Sequence, residues 1–148
     1  CVPLFEVLGA QNFYLGDSEQ ARYLKLVVNL LVGTTGAVLA EALTLGRKGG
    51  LDWQQMLDVI GVSAAASPYV QYNLAPLKAR DFSALFTTEQ MVKDSRLIRD
   101  AGEATGVPLA SGRARLQMFE DTIETGYGEE NLTAAIKMLE SKSGLDEI

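Results

Sequence analysis

The chain has 148 residues, 47% apolar and 22% charged, enough for one globular domain whose core can hold a chemical site. A formal net charge of −6 argues against general nucleic-acid binding, which wants a basic face. With no histidine, Ser-His-Asp and Cys-His catalysis are excluded and zinc catalysis is disfavoured, so proton transfer falls to Lys, Asp, Glu or Tyr.

In chain order, "PLFEVLG" predicts a short helical piece ended by Gly9. "NFYLG" reads as a short strand before Gly16. The first long helix opens at "DSEQ", with Asp17 or Ser18 as cap and Glu19 at the positive end. It runs to about Gly46 and stops at "KGG", behind Arg47 and Lys48. Such a helix has roughly 30 residues and a length of about 45 Å. Its apolar residues go almost all the way round, which predicts a central helix surrounded by others. Gly33 and Gly36 inside it cost about 1 kcal/mol each against alanine, and close approach of a neighbouring helix or a ligand is the expected compensation. The stretch "LVVNLLVGTTGAVLA", closed by Lys25 and Glu41, is short for a bilayer and reads as buried core, so no membrane is expected. Glu41 reads as the structural partner of a buried group.

Asp52 is expected to cap a second helix, "WQQMLDVIG". Ser67 caps the next, with Pro68 at its first position. Thr87 and Gln90 form a capping box for "TTEQMVKDSRLIRDAGEATG", which stops at Gly106. Two further helices run from Pro108 to Gly126 and from Asn131 to near Gly144. "GYGEEN" leads into the last of these, and its acids alone make no metal site. The expected fold is all-α, with six or so helices around a long central helix.

Two polar residues interrupt the apolar run "LKLVVN". Lys25 and Asn29 stand one turn apart on one helix face. Lys25 can snorkel its ammonium to water from a mostly buried helix. It can equally be a partly desolvated acid/base in a cleft, where burial lowers its pKa toward neutrality and suits proton delivery to a forming alkoxide. Asn29 can hold Lys25 or a substrate oxygen, or bond a neighbouring backbone. Lys93 and Asp94 in "MVKDSRL" fit a solvated helix face. No phosphate loop is present, because "GDSEQA" lacks the glycine spacing.

The fragments "PLFEVLG…NFYLG", "KLVVN", "AEALTLGRKGGLD", "FTTEQMVKDSRL", "GVPL" and "GYGEENLTAAI", in this order and spacing, resemble the C-terminal domain of the β-hydroxyacid dehydrogenase family. That family includes 3-hydroxyisobutyrate dehydrogenase, tartronate semialdehyde reductase and, more distantly, 6-phosphogluconate dehydrogenase. The resemblance implies Lys25 as catalytic acid/base and Asn29 as a substrate contact. It implies Lys93 near the nicotinamide of NAD or NADP, with Phe86 and Asp94 shaping that pocket, and no metal. It also implies a small 3-hydroxy acid or semialdehyde as substrate, and a homodimer, possibly a tetramer. Two departures stand out: the turn "GDSEQARYLK" keeps only Gly16 of a usually glycine-rich segment, and Asn131 stands where an Asp is frequent.

The resemblance divides the chain into residues 1–15, the tail of a dinucleotide-binding domain expected ahead of Cys1, and residues 16–148, the all-α catalytic and dimerisation domain. With one cysteine and no evident signal peptide, a cytoplasmic location is expected. The other reading is a dehydrogenase-like helical domain that serves only for association. Joint presence of Lys25, Asn29, Lys93 and Asp94 favours the enzyme.

Overall fold

The computed structural model describes residues 2–146 and contains seven α-helices among them: α1 (Val2–Leu8), α2 (Gln20–Lys48), α3 (Trp53–Val62), α4 (Pro68–Lys78), α5 (Thr88–Thr105), α6 (Ala110–Thr122) and α7 (Ala135–Lys142). One π turn, Ile123–Tyr127, follows α6, and a 3₁₀ turn, Leu132–Ala134, leads into α7. The all-α expectation holds, and α2 is the axis against which α3 to α7 pack.

The helix boundaries follow the local signals closely. The Asp52 side chain accepts from Gln55 N at 2.9 Å, and the Ser67 hydroxyl from Val70 N at 3.3 Å. Thr87 and Gln90 close their reciprocal box, and Gly106 ends α5 in the left-handed conformation at φ 71°. Asn131 caps the 3₁₀ turn by accepting from Thr133 N at 3.1 Å. Helix α6 stops at Thr122, before the expected Gly126, which sits at φ 95° inside the π turn.

Two expectations near the N-terminus fail. Residues 11–16 form no strand, because no second strand among the described residues offers them a ladder. Neither Asp17 nor Ser18 caps α2: Glu19 occupies the N-cap without a side-chain bond. The Asp17 carboxylate instead accepts from the Tyr14 hydroxyl, and the Gln20 side chain takes up the Ser18 N–H at 3.0 Å. A third correction concerns Glu41, which is exposed and pairs with no buried group among the described residues.

The core lies between α2 and the later helices, with Leu43, Leu57, Leu77, Met91, Phe119 and Ile136 at its centre. At one end Glu140, only 1% exposed, receives Arg47 from α2 at 2.5 Å and Arg80 at 2.6 Å. Arg80 also lies over the rings of Trp53 and Phe82, so one carboxylate ties α2, α7 and the loop after α4 together. The segment ahead of α5 is stitched to the loop before α7: Asn131 N donates to Phe82 O, Leu132 N to Phe86 O and Thr88 N to Glu130 O. These bonds fix where α5 begins, and hence the register of its polar residues against α2.

The glycines of α2 are explained by contact. A Cβ at Gly36 would lie 2.5 Å from Leu132 Cδ1 and 2.8 Å from the Tyr69 hydroxyl. At 29 residues α2 is long and apolar enough to cross a membrane, longer than the apolar stretch within it indicated; six of its residues between Gly33 and Leu43 are buried by the fold. One face of it stays largely uncovered. Leu24, Val28, Leu31, Val38 and Leu45 are 43–75% exposed and, with Thr35 and Ala42, recur at alternating spacings of four and three.

Candidate functional site

Lys25 and Asn29 rise from the first turns of α2. Lys25 is exposed and makes no ion pair among the described residues. The burial expected around it is not supplied by this fold: Leu24 is 43% and Val28 48% exposed. Asn29, half-buried one turn on, is held in place. Its Nδ2 donates to Asp94 Oδ2 on α5 at 2.7 Å. Asp94 is itself buried, and its Oδ2 is the acceptor in this bond. The amide of Asn29 therefore turns its nitrogen to Asp94 and leaves Oδ1 for another partner.

Asp94 thus stands with Asn29, across 65 residues of sequence, while its neighbour Lys93 projects elsewhere. Lys93 is exposed at the rim of a groove that it lines with Glu89, Val92, Arg96, Leu97 and Ile123. The "KD" pair is split by helical geometry, since successive residues on a helix point about 100° apart. Phe86 lies at the edge of the core, half-buried and packed against it, just ahead of the α5 cap. The structure joins Asn29 and Asp94 directly and sets Lys25 on the same face of α2. No hydrogen bond links Lys93 or Phe86 to that group among the described residues.

Sequence reasoning missed Arg115. It lies on α6, 2% exposed, and its Nη1 donates to the main-chain oxygen of Asn29 at 3.0 Å. Burial without a carboxylate pushes its pKa down from the usual arginine value. The signal was in the helix phase: Gly112, Arg115, Leu116, Phe119 and Thr122 form the buried stripe of α6, and a cation at such a position is rare. Among the described residues no group of three or more acidic or sulfur ligands could hold a metal.

An exposed amine, a fixed amide one turn away and a carboxylate behind it can transfer a proton and orient an oxygen. They cannot move a hydride.

A family model described as "NAD-binding of NADP-dependent 3-hydroxyisobutyrate dehydrogenase" matches residues 20–139. The chain is 34% identical over 144 residues to 2-(hydroxymethyl)glutarate dehydrogenase of Eubacterium barkeri, covering 97% of this chain and 48% of that protein. It is 27% identical over 136 residues to glyoxylate/succinic semialdehyde reductase 1 of Arabidopsis thaliana, covering 92% and 47%. Among solved structures, a 3-hydroxyisobutyrate dehydrogenase from Salmonella typhimurium superimposes with a TM-score of 0.88 at 26% identity, over 93% of this chain and 48% of that one. The chain spans about half the length of the curated relatives it matches.

Proposed function

Since the chain belongs to the 3-hydroxyisobutyrate dehydrogenase family, we propose that it is the catalytic and dimerisation half of an NAD(P)-dependent dehydrogenase acting on a small 3-hydroxy acid or its semialdehyde. The observation that carries this reading is the Asn29–Asp94 bond one turn from Lys25. It gives a free-standing amine a rigid neighbour, which an association surface does not need.

Lys25 is the acid/base. In the reducing direction its ammonium gives a proton to the carbonyl oxygen as that oxygen gains charge; in oxidation its neutral amine takes the hydroxyl proton. Asn29, its nitrogen held by Asp94, points Oδ1 at a donor, either the substrate hydroxyl or the Lys25 ammonium. The dinucleotide, when bound, supplies or takes the hydride. By the family resemblance Lys93 would hold it, with Phe86 and Asp94 shaping the approach. A preceding dinucleotide-binding domain, consistent with the coverage of the relatives, closes over the uncovered start of α2. Proton transfer by Lys25 needs that closure, which keeps water from coming between the amine and the substrate oxygen.

The uncovered stripe Leu24, Val28, Leu31, Thr35, Val38, Ala42 and Leu45 has the seam spacing of helices that pack in register. Its far end suits a second copy of the chain, and the assembly is a homodimer or a tetramer of such dimers, cytoplasmic and with no membrane or nucleic acid as partner.

The test is turnover by the full-length protein. NAD and NADP are offered with 3-hydroxyisobutyrate and 2-(hydroxymethyl)glutarate, and reduction is followed by absorbance. Saturable turnover of a 3-hydroxy acid is the expected result. A folded, dimeric protein that turns over none of them, nor succinic semialdehyde or glyoxylate in reverse, would leave the association module as the better reading.

A further inference from the structure

Arg115 poses a problem of stability. Its guanidinium is buried and carries a charge, yet no carboxylate pairs with it among the described residues. Nη1 donates to Asn29 O at 3.0 Å and lies 3.7 Å from Met91 Sδ. Nε and Nη2 have no partner among the described residues. A buried, unpaired cation is costly, and an apolar side chain of the same length would fill the space without that cost. Packing alone does not explain an arginine here.

The groove that admits it is specific. A Cβ on Gly33 would come 2.1 Å from Nη1 and 2.8 Å from Met91 Sδ, so the guanidinium lies where any other residue at position 33 would put its side chain. The helical cost of Gly33 is thus matched to this one contact. The contact falls on the turn from Asn29 to Gly33. The carbonyl of Asn29 has two lone pairs; the helix uses one for the N–H four residues on, and Arg115 takes the other. Asp94 meanwhile holds the same residue's side chain at 2.7 Å. Asn29 is therefore gripped twice, through its amide by α5 and through its main chain by α6.

We propose that Arg115 is a positioning residue for Asn29, seated in the Gly33 notch and fixing the turn of α2 from which Asn29 meets the substrate. The proposal rests on the reading of Asn29 as a substrate contact. The guanidinium does not touch the substrate; it acts through the Asn29 carbonyl.

The experiment uses the full-length protein and four variants: Arg115→Met, Arg115→Lys, Asn29→Ala, and Arg115→Met combined with Asn29→Ala. Arg115→Met should raise KM for the hydroxy acid about tenfold, the scale of one lost charge-assisted hydrogen bond. It should leave dinucleotide affinity unchanged and the melting temperature unchanged or higher. Arg115→Lys, which keeps a donor, should recover most of the affinity. In the Asn29→Ala background Arg115→Met should add nothing further, since the group it positions is gone. If the Met variant does not fold, Gly33→Ala replaces it: it displaces the guanidinium without removing it, and the same rise in KM is expected. A lowered melting temperature with unchanged KM, while Asn29→Ala raises KM, would overturn the positioning role alone. An unchanged KM in Asn29→Ala would remove the reading of Asn29 and this proposal with it.

Discussion

Glu140→Gln removes one charge and almost no volume, which makes it the sharpest probe of how the helices are tied together. The Glu140 side chain is 2% exposed, and its two cationic partners, Arg47 and Arg80, are 10% and 15% exposed. Arg80 reaches both oxygens, at 2.9 and 2.6 Å, while Arg47 shares the first at 2.5 Å. Glutamine keeps one acceptor and turns an NH₂ group toward a guanidinium. Two nearly buried cations then lose their counter-charge. Removing one partner of a buried ion pair costs about 3–5 kcal/mol, a large part of the 5–15 kcal/mol that holds an ordinary domain together. For a chain of this size each kcal/mol moves the melting temperature by about 2–4 °C, so a drop of about 6–20 °C is expected. Circular dichroism melts of the 148-residue chain measure it. Asp58→Asn is the control: its partner Lys78 is 36% exposed and Asp58 63%, so that pair should contribute under about 1 kcal/mol. A Glu140→Gln melting point within about 2 °C of the parent, or no lower than that of Asp58→Asn, would refute the clamp.

Three further outcomes are expected. Gly36→Val should destabilise by about 1–3 kcal/mol in a chemical melt, because its Cβ would meet Leu132 and the Tyr69 hydroxyl, overpacking that outweighs the gain in helix propensity. Lys142→Ala should raise the pKa of Asp121, now held low first by the Lys142 ammonium at 2.6 Å and then by Gln117; a carboxyl-carbon NMR titration reads the change. Because the folded pKa lies below the unfolded one, that pair contributes stability above the unfolded aspartate pKa and loses it as pH falls through the folded value, so the Lys142→Ala variant should lose less stability in acid than the parent. The isolated chain should be helical and dimeric by light scattering at micromolar concentration, with no dehydrogenase turnover; a stable monomer would remove the α2 seam, and turnover by the chain alone would remove the need for a second domain.

What the sequence revealed was local. Asp52, Ser67, Thr87 with Gln90, and Gly106 act within three or four residues, and each helix end they imply is present. The all-α fold follows from these stops and from the apolar periodicity between them. What stayed hidden depends on distant parts of the chain. "NFYLG" has strand-forming residues, but a strand needs a partner, and none is among the described residues. Asp17 is a good cap by type, but Tyr14 engages its carboxylate. Asp94 and Lys93 are neighbours in sequence, and nothing in that pattern marks the bond Asp94 makes to Asn29, 65 residues away. Arg115 was visible only as a break in the apolar phase of α6, and its partner is a main-chain oxygen that no side-chain pattern marks. The apolar girth of α2 was read as burial by neighbours, but one face of it is a largely uncovered seam.

Lys25 is the residue on which the proposed chemistry depends most directly. In the full-length protein, Lys25→Ala and Lys25→Arg are compared by the single-turnover rate of hydride transfer with saturating substrate and dinucleotide. General acid–base catalysis contributes about 10² to 10⁴ in rate, so the alanine variant should slow by that factor with dinucleotide affinity unchanged. The arginine variant should be nearly as slow, because a guanidinium keeps the charge but does not release its proton near neutral pH. Full activity in Lys25→Arg would leave charge stabilisation and remove proton transfer. Full activity in Lys25→Ala would contradict the assignment of the site.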